Sequence, residues 1–215
     1  MGGIQVHAFH KILVLSAHTD NIELGCGATV NKWINEGKEV HYLAFSAAEE
    51  SVPYPFPKDQ LRKEAFQSTA VLGINEQNIQ VLKYPVRRFS EYRQHILDDM
   101  VKAKTQIQPD LIILPCLKDV HQDHQVVSME GIRAFKNHSI LAYELPWNLY
   151  SFKNMCYSLV DDVHKDHKYK TLQCYKTQEN RPYFNKDFIY GLAKMRGVQV
   201  NYAYAECFEM VRWII

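Results

Sequence analysis

Apolar positions fall in two kinds of stretch along this chain. Ile12–Leu15 and Leu111–Leu114 are continuous aliphatic runs, too short for helices, and read as strands buried on both faces. The first strand spans about 11–16 and the fourth about 111–116. Residues 39–46 alternate and then turn apolar, which predicts a second strand; 79–82 and 139–144 predict a third and a fifth. Between them lies helical spacing. It predicts helices over about 23–36, closed by Gly37, and over 58–72, closed by Gly73. The second of these carries Leu61, Ala65, Ser68, Thr69 and Leu72 on one face. Further helices are predicted over 92–107, with Ile96, Met100 and Val101 buried, and over 124–136. Strand and helix in strict alternation predict an α/β fold with a mainly parallel sheet and right-handed crossovers. Residues 47–57 hold three prolines and form a loop long enough for a lid or a binding loop. Beyond residue 144 the pattern is less regular. Helices are expected over 162–176 and 187–195, while 202–210 mixes aromatic and charged residues without a clear period. No repeat or linker interrupts the chain, so a single domain over 1–215 is expected.

Composition narrows the partners. The 215 residues include 25 basic and 24 acidic side chains, a net charge of +1, which gives no reason to expect nucleic acid or an anionic membrane. No apolar run approaches the ~20 residues of a membrane span. Met1–His7 lacks the basic start and apolar core of a secretion signal, and Val6 stands where myristoylation needs Ser or Thr. The five cysteines are scattered and include no Cys-x-x-Cys pair, as expected for free thiols in a reduced, cytoplasmic setting.

The chemistry sits at two strand ends. His18-Thr19-Asp20-Asn21 follows the first strand, and His121-Gln122-Asp123-His124 follows the fourth. In the usual doubly wound order these strands are neighbours where the order reverses, so their carboxyl-end loops face one crevice. The first loop carries no Gly-x-Gly-x-x-Gly, which argues against a dinucleotide; Gly25 and Gly27 read as close helix–sheet packing. Histidines and carboxylates at one crevice suit a divalent cation with an open position. Amide hydrolysis then needs a base for water and an acid or donor for the developing charge. Asp20 suits the first task and His121 the second. Asp123 suits a bond that orients His121 through its ring N–H, or a helix N-cap.

At these residues the chain resembles the PIG-L/LmbE-like family of zinc-dependent deacetylases of N-acetylglucosaminyl compounds. The family's motifs, Ala-His-Pro-Asp-Asp-x-Glu-x-Gly-x-Gly and His-Pro-Asp-His, stand here as residues 17–27 and 121–124. The likeness extends over most of the chain, through Glu64 ahead of Leu72-Gly73, Pro109-Asp110, Tyr175–Gln178 and Tyr204–Phe208. It implies a Rossmann-like three-layer fold and a Zn2+ held by His18, Asn21 and His124. It also implies Asp20 as general base and His121 as transition-state stabiliser. The substrate class implied is an N-acetylated sugar, free or carrier-linked. Two departures stand out. Asn21 replaces an anionic ligand, which predicts weaker zinc, another divalent ion, or lost catalysis. Thr19 replaces proline, which predicts a looser turn.

Further candidates line the same edge of the expected sheet. Glu49 could meet sugar hydroxyls, Arg87 or Arg88 a phosphate or uronate, and Trp147 a sugar ring; solvated or packing roles compete for each. Arg62 and Glu64 read as a helix-surface pair, and Glu206 as a structural hydrogen-bonding carboxylate. The aromatic C-terminal region leaves room for a homo-oligomer. Two other functions stay open: a metal-poor sugar-binding or assembly protein, and a hydrolase of another amide or formamide.

Overall fold

The computed structural model describes residues 9–215; Met1–His7, on which the expectation of no secretion signal rests, lies outside them. The described chain runs β1 (Lys11–His18), α1 (Asn21–Asn35), β2 (Glu39–Ser46), α2 (Gln60–Leu72), β3 (Ile79–Val81), α3 (Arg93–Ile107), β4 (Leu111–Pro115) and α4 (Gln122–Ala134). It continues through β5 (Ser139–Tyr143), β6 (Cys156–Val160), α5 (Asp162–Leu172), α6 (Lys186–Gln199) and β7 (Tyr204–Arg212). Together these form one sheet in the order β3-β2-β1-β4-β5-β7-β6. Strands β1 to β5 are parallel, and β7 runs antiparallel to both of its neighbours.

β1 shows why its sequence is continuously apolar. Ile12 and Val14 point into a core built with α1, α2, α5 and α6, while Leu13 and Leu15 point into the opposite core with α3 and α4. Both faces are covered, so neither parity of the strand can be polar. The order reverses between β1 and β4, where Leu13 lies opposite Ile112 and Val14 opposite Ile113. Their carboxyl ends therefore open on one crevice.

Helix α1 is braced against the sheet by its small residues. A Cβ on Gly25 would stand 2.3 Å from Tyr143 Cδ2, so only glycine lets the helix approach that closely. The helix is broken at Cys26 (φ −148°, ψ 23°), and the backbone N–H groups of Ala28 and Thr29 donate to the buried Glu206 carboxylate at 3.2 and 2.7 Å. Lys168 Nζ completes the arrangement, 2.6 Å from the same carboxylate. Glu206 thus has the structural role expected of it.

Three expectations need correcting. Val101 is 41% exposed, and α3 buries Ile96, Met100 and Ala103 instead. Residues 204–212 form β7, inserted between β5 and β6, with Glu206 and the thiol of Cys207 inside. Burial of a paired carboxylate there removes the polar–apolar alternation that marks a strand. Arg62 and Glu64 are not a surface pair: Glu64 is fully buried and accepts from Thr177 N–H at 3.2 Å and Thr177 Oγ1 at 2.6 Å, while Arg62 pairs with Glu49.

Candidate metal centre

His18 is the last residue of β1, and the chain must turn there without a long loop. Asp20 makes the turn in the left-handed region (φ 87°), a conformation that Asn and Asp tolerate better than most residues. The backbone N–H of His18 donates to Asn21 Oδ1 at 3.1 Å, and Asn21 Nδ2 donates to Asp20 Oδ1 at 3.0 Å. Thr19 keeps the backbone N–H that a proline at this position would lack. Its N–H donates to Ser46 O at 3.2 Å and ties the end of β1 to the end of β2.

The second loop brings His121, Asp123 and His124 up to His18. His124 Nε2 lies 3.3 Å from His18 Nδ1. The outer nitrogens of both rings face carboxylates. His18 Nε2 is 2.9 Å from Asp123 Oδ2, and His124 Nδ1 is 2.7 Å from Asp119 Oδ2. A carboxylate only accepts, so each outer nitrogen carries the ring hydrogen. The two inner nitrogens then present bare lone pairs to each other. Two nitrogens each about 2.0–2.1 Å from one tetrahedral zinc lie roughly 3.3 Å apart, so this pair has the separation of two ligands on a shared ion. His121 completes a group of three histidines with one nitrogen each within 4.8 Å of the others. Its tautomer differs. His121 Nδ1 accepts from Asp123 N–H at 3.2 Å, which leaves the hydrogen on Nε2 and makes that atom a donor.

Burial sets the protonation of the cluster. It pushes His18 below its ordinary value, more than the hydrogen bond to Asp123 lifts it, and it lowers His121 with help from the charges of His18 and Arg87. Burial works to raise Asp123, but His18 and the backbone N–H groups of Arg87 (2.6 Å) and Phe89 (3.3 Å) bring it below its usual range. Asp20 goes the other way. Burial, then the Glu23 carboxylate, push it well above the usual range against the pull of Arg181.

The model of the family described as PIG-L, GlcNAc-PI de-N-acetylase, matches residues 13–135, more than half of the chain. This chain belongs to the PIG-L family. A curated relative, the uncharacterized deacetylase YaiS of Escherichia coli K12, is 27% identical over 177 residues, covering 77% of this chain and 90% of the relative. Among solved structures, the fold is similar to N,N'-diacetylchitobiose deacetylase of Pyrococcus horikoshii in complex with its inhibitor. That match has a TM-score of 0.79 and 20% identity, over 94% of this chain and 84% of the other. It is as similar to GalB, the 4-carboxy-2-hydroxymuconate hydratase of Pseudomonas putida, with a TM-score of 0.78 and 20% identity over 95% and 98%. A hydratase on the same frame means that the fold alone does not fix the reaction.

In this PIG-L family member a cavity of about 300 Å³ opens beside the histidines. His18, Asp20, Asn21, His121 and His124 line it, as do Arg87 and Trp147. Trp147 stacks flat on Tyr183, with ring centroids 3.9 Å apart, and forms an aromatic wall. Two of the expected substrate residues lie elsewhere. Glu49 lines a separate small hollow and accepts from Arg62 Nε at 3.0 Å, because Arg62 also needs an anchor while it donates to Val81 O and Leu82 O. Arg88 turns to solvent and pairs with Glu91 at 2.6 Å. Asp123 bonds His18 in place of His121, and it is no N-cap: that position belongs to His121, whose ring accepts from Asp123 N–H.

Sequence reasoning missed Asp119. It is 1% exposed, holds His124 Nδ1 through Oδ2, and accepts the His121 backbone N–H through Oδ1 at 2.8 Å. A lone Asp between Lys118 and Val120 carries no motif; only its position two residues before His121 hints at the role. Arg181 was missed as well; it lines the cavity from the segment after α5, together with Gln178 of the family-like Tyr175–Gln178 stretch.

Proposed function

We propose that this chain is a zinc-dependent hydrolase that removes the N-acetyl group from an amino sugar. The observation that carries the reading is the pair of inner nitrogens 3.3 Å apart on His18 and His124, each backed by a carboxylate. His18 and His124 hold the ion. Asn21 is the third ligand, through the lone pair of Oδ1 that the His18 N–H leaves free. A divalent cation there supplies a Lewis acid that polarises the acyl oxygen and acidifies water.

The remaining steps belong to the chain. Asp20, on the cavity wall beside His18 and Asn21, takes the proton of the attacking water and passes it to the nitrogen as the C–N bond breaks. His121 donates its Nε2 hydrogen to the oxyanion that forms on the acyl carbon. Asp123 and Asp119 position the two ligand rings. The products are acetate and the free amine.

The test is acetate release from N-acetylated sugars by the wild type and by Asp20→Asn. The variant should lose about 10²–10⁴-fold in kcat while it still binds zinc. Undiminished turnover would remove Asp20 from the mechanism. Asn21 favours a second reading, a metal-poor sugar-binding protein, because its carboxamide brings no charge to the ion. Zinc content of the purified protein separates the two.

A further inference from the structure

Glu64 lies in α2, fully buried, and forms no ion pair among the described residues. Its Oε1 accepts from Gln60 Nε2 at 3.1 Å and from Thr177 N–H at 3.2 Å, and its Oε2 accepts from Thr177 Oγ1 at 2.6 Å. A carboxylate only accepts, so the Thr177 hydroxyl commits its single hydrogen to Glu64. Thr177 Oγ1 can then only accept from its other neighbour, the Gln178 side-chain nitrogen, 3.2 Å away. The buried charge thus sets the sense of the Gln178 carboxamide: NH2 toward Thr177, carbonyl Oε1 away from it.

Gln178 lines the cavity at the histidine cluster, 8% exposed, and its Oε1 has no donor among the described residues. A carboxamide free to turn could offer a ligand either its NH2 or its oxygen; this one offers the oxygen. The segment that carries it is pinned from a second side. Tyr175 OH donates to the buried Glu23 carboxylate at 2.9 Å, and Gln178 N–H donates to Tyr175 O at 3.1 Å. Two buried carboxylates, on α1 and α2, therefore hold one short stretch of chain and aim one neutral acceptor from it.

We infer that Gln178 is a specificity-determining residue: its Oε1 accepts a hydrogen bond from a ring hydroxyl of the bound sugar, and Glu64 and Thr177 are the residues that position it. The inference rests on the deacetylase reading for the bond that is cut. In that reading the leaving nitrogen faces Asp20, so the donors left for Gln178 are the hydroxyls. A largely buried acceptor that pairs with a substrate hydroxyl rejects the analogue lacking it, because the acceptor then stays unpaired.

The test is calorimetric binding to the zinc-loaded full chain. The probes are N-acetylglucosamine and its 3-deoxy, 4-deoxy and 6-deoxy analogues. The wild type should bind at least one deoxy sugar roughly ten- to a hundredfold more weakly than the parent. Gln178→Met keeps the length of the side chain and removes the acceptor, so it should erase that preference. Thr177→Val frees the carboxamide to turn and should erase it too, while Thr177→Ser, which keeps the hydroxyl, should retain it. A merely structural role would lower the melting temperature of Thr177→Val without changing which sugar it prefers, and the Thr177 pair decides the matter should Gln178→Met not fold. No binding of the parent sugar, a wild-type preference below about threefold at every position, or a preference kept in either Gln178→Met or Thr177→Val overturns the inference. Acetate release from the same probes separates the two readings. Equal release from parent and deoxy sugars sinks this inference and spares the hydrolase. The expected preference in binding, with no acetate released, spares the inference and sinks the hydrolase.

Discussion

Asp119→Asn is the most informative single change in the centre. The wild-type carboxylate accepts from His124 Nδ1 at 2.7 Å and from His121 N at 2.8 Å, in a site 1% exposed to solvent. The first bond keeps the hydrogen on Nδ1 and the lone pair on Nε2. An amide keeps the shape but can offer its NH2 to the ring, which favours the tautomer with hydrogen on Nε2 and a blocked ligand atom. Loss of such a carboxylate behind a ligand histidine costs about 10–100-fold in metal affinity, or about 1.4–2.8 kcal/mol. The assay is a competitive zinc titration against a chelating dye, with a melting curve to confirm folding. Zinc affinity within about twofold of wild type in a folded Asp119→Asn protein would refute the reasoning, because it would mean that His124 does not need its tautomer fixed.

Asn21→Asp should tighten zinc, since it returns a charge to the ion; unchanged or weaker affinity in the same titration removes Asn21 from the ligand set. Gly25→Ala should cost about 1–3 kcal/mol, because the new methyl would stand 2.3 Å from Tyr143 Cδ2, and a lower urea midpoint at unchanged m-value is the expected readout. Glu206→Ala strands the buried Lys168 ammonium and uncaps Ala28 and Thr29, so a loss of about 3–5 kcal/mol by the same measurement is expected.

The parallel part of the sheet was legible because its strands are buried on both faces and its helices are amphipathic. Those two periods survive in the sequence whatever the tertiary contacts. The convergence of His18 with His124 was legible too, since the strand order places β1 beside β4. Their rings lie 5.2 Å apart, centroid to centroid, within reach of a single ion. The last strands were not legible. β7 buries Glu206 against Lys168, and the partner stands 38 residues away, out of sight of any local pattern. Asp119 was hidden for another reason: it grips His121 and His124 from two and five residues away, but a lone Asp carries no motif. Asp123 was paired with the wrong ring: neighbours in sequence suggested His121, while the helix start turns the carboxylate toward His18.

Zinc-edge anomalous scattering from a crystal of the full chain tests the central claim most directly. One strong peak is expected about 2 Å from both His18 Nδ1 and His124 Nε2. A peak that touches neither ring, or no peak after zinc is supplied at saturating concentration, would contradict it.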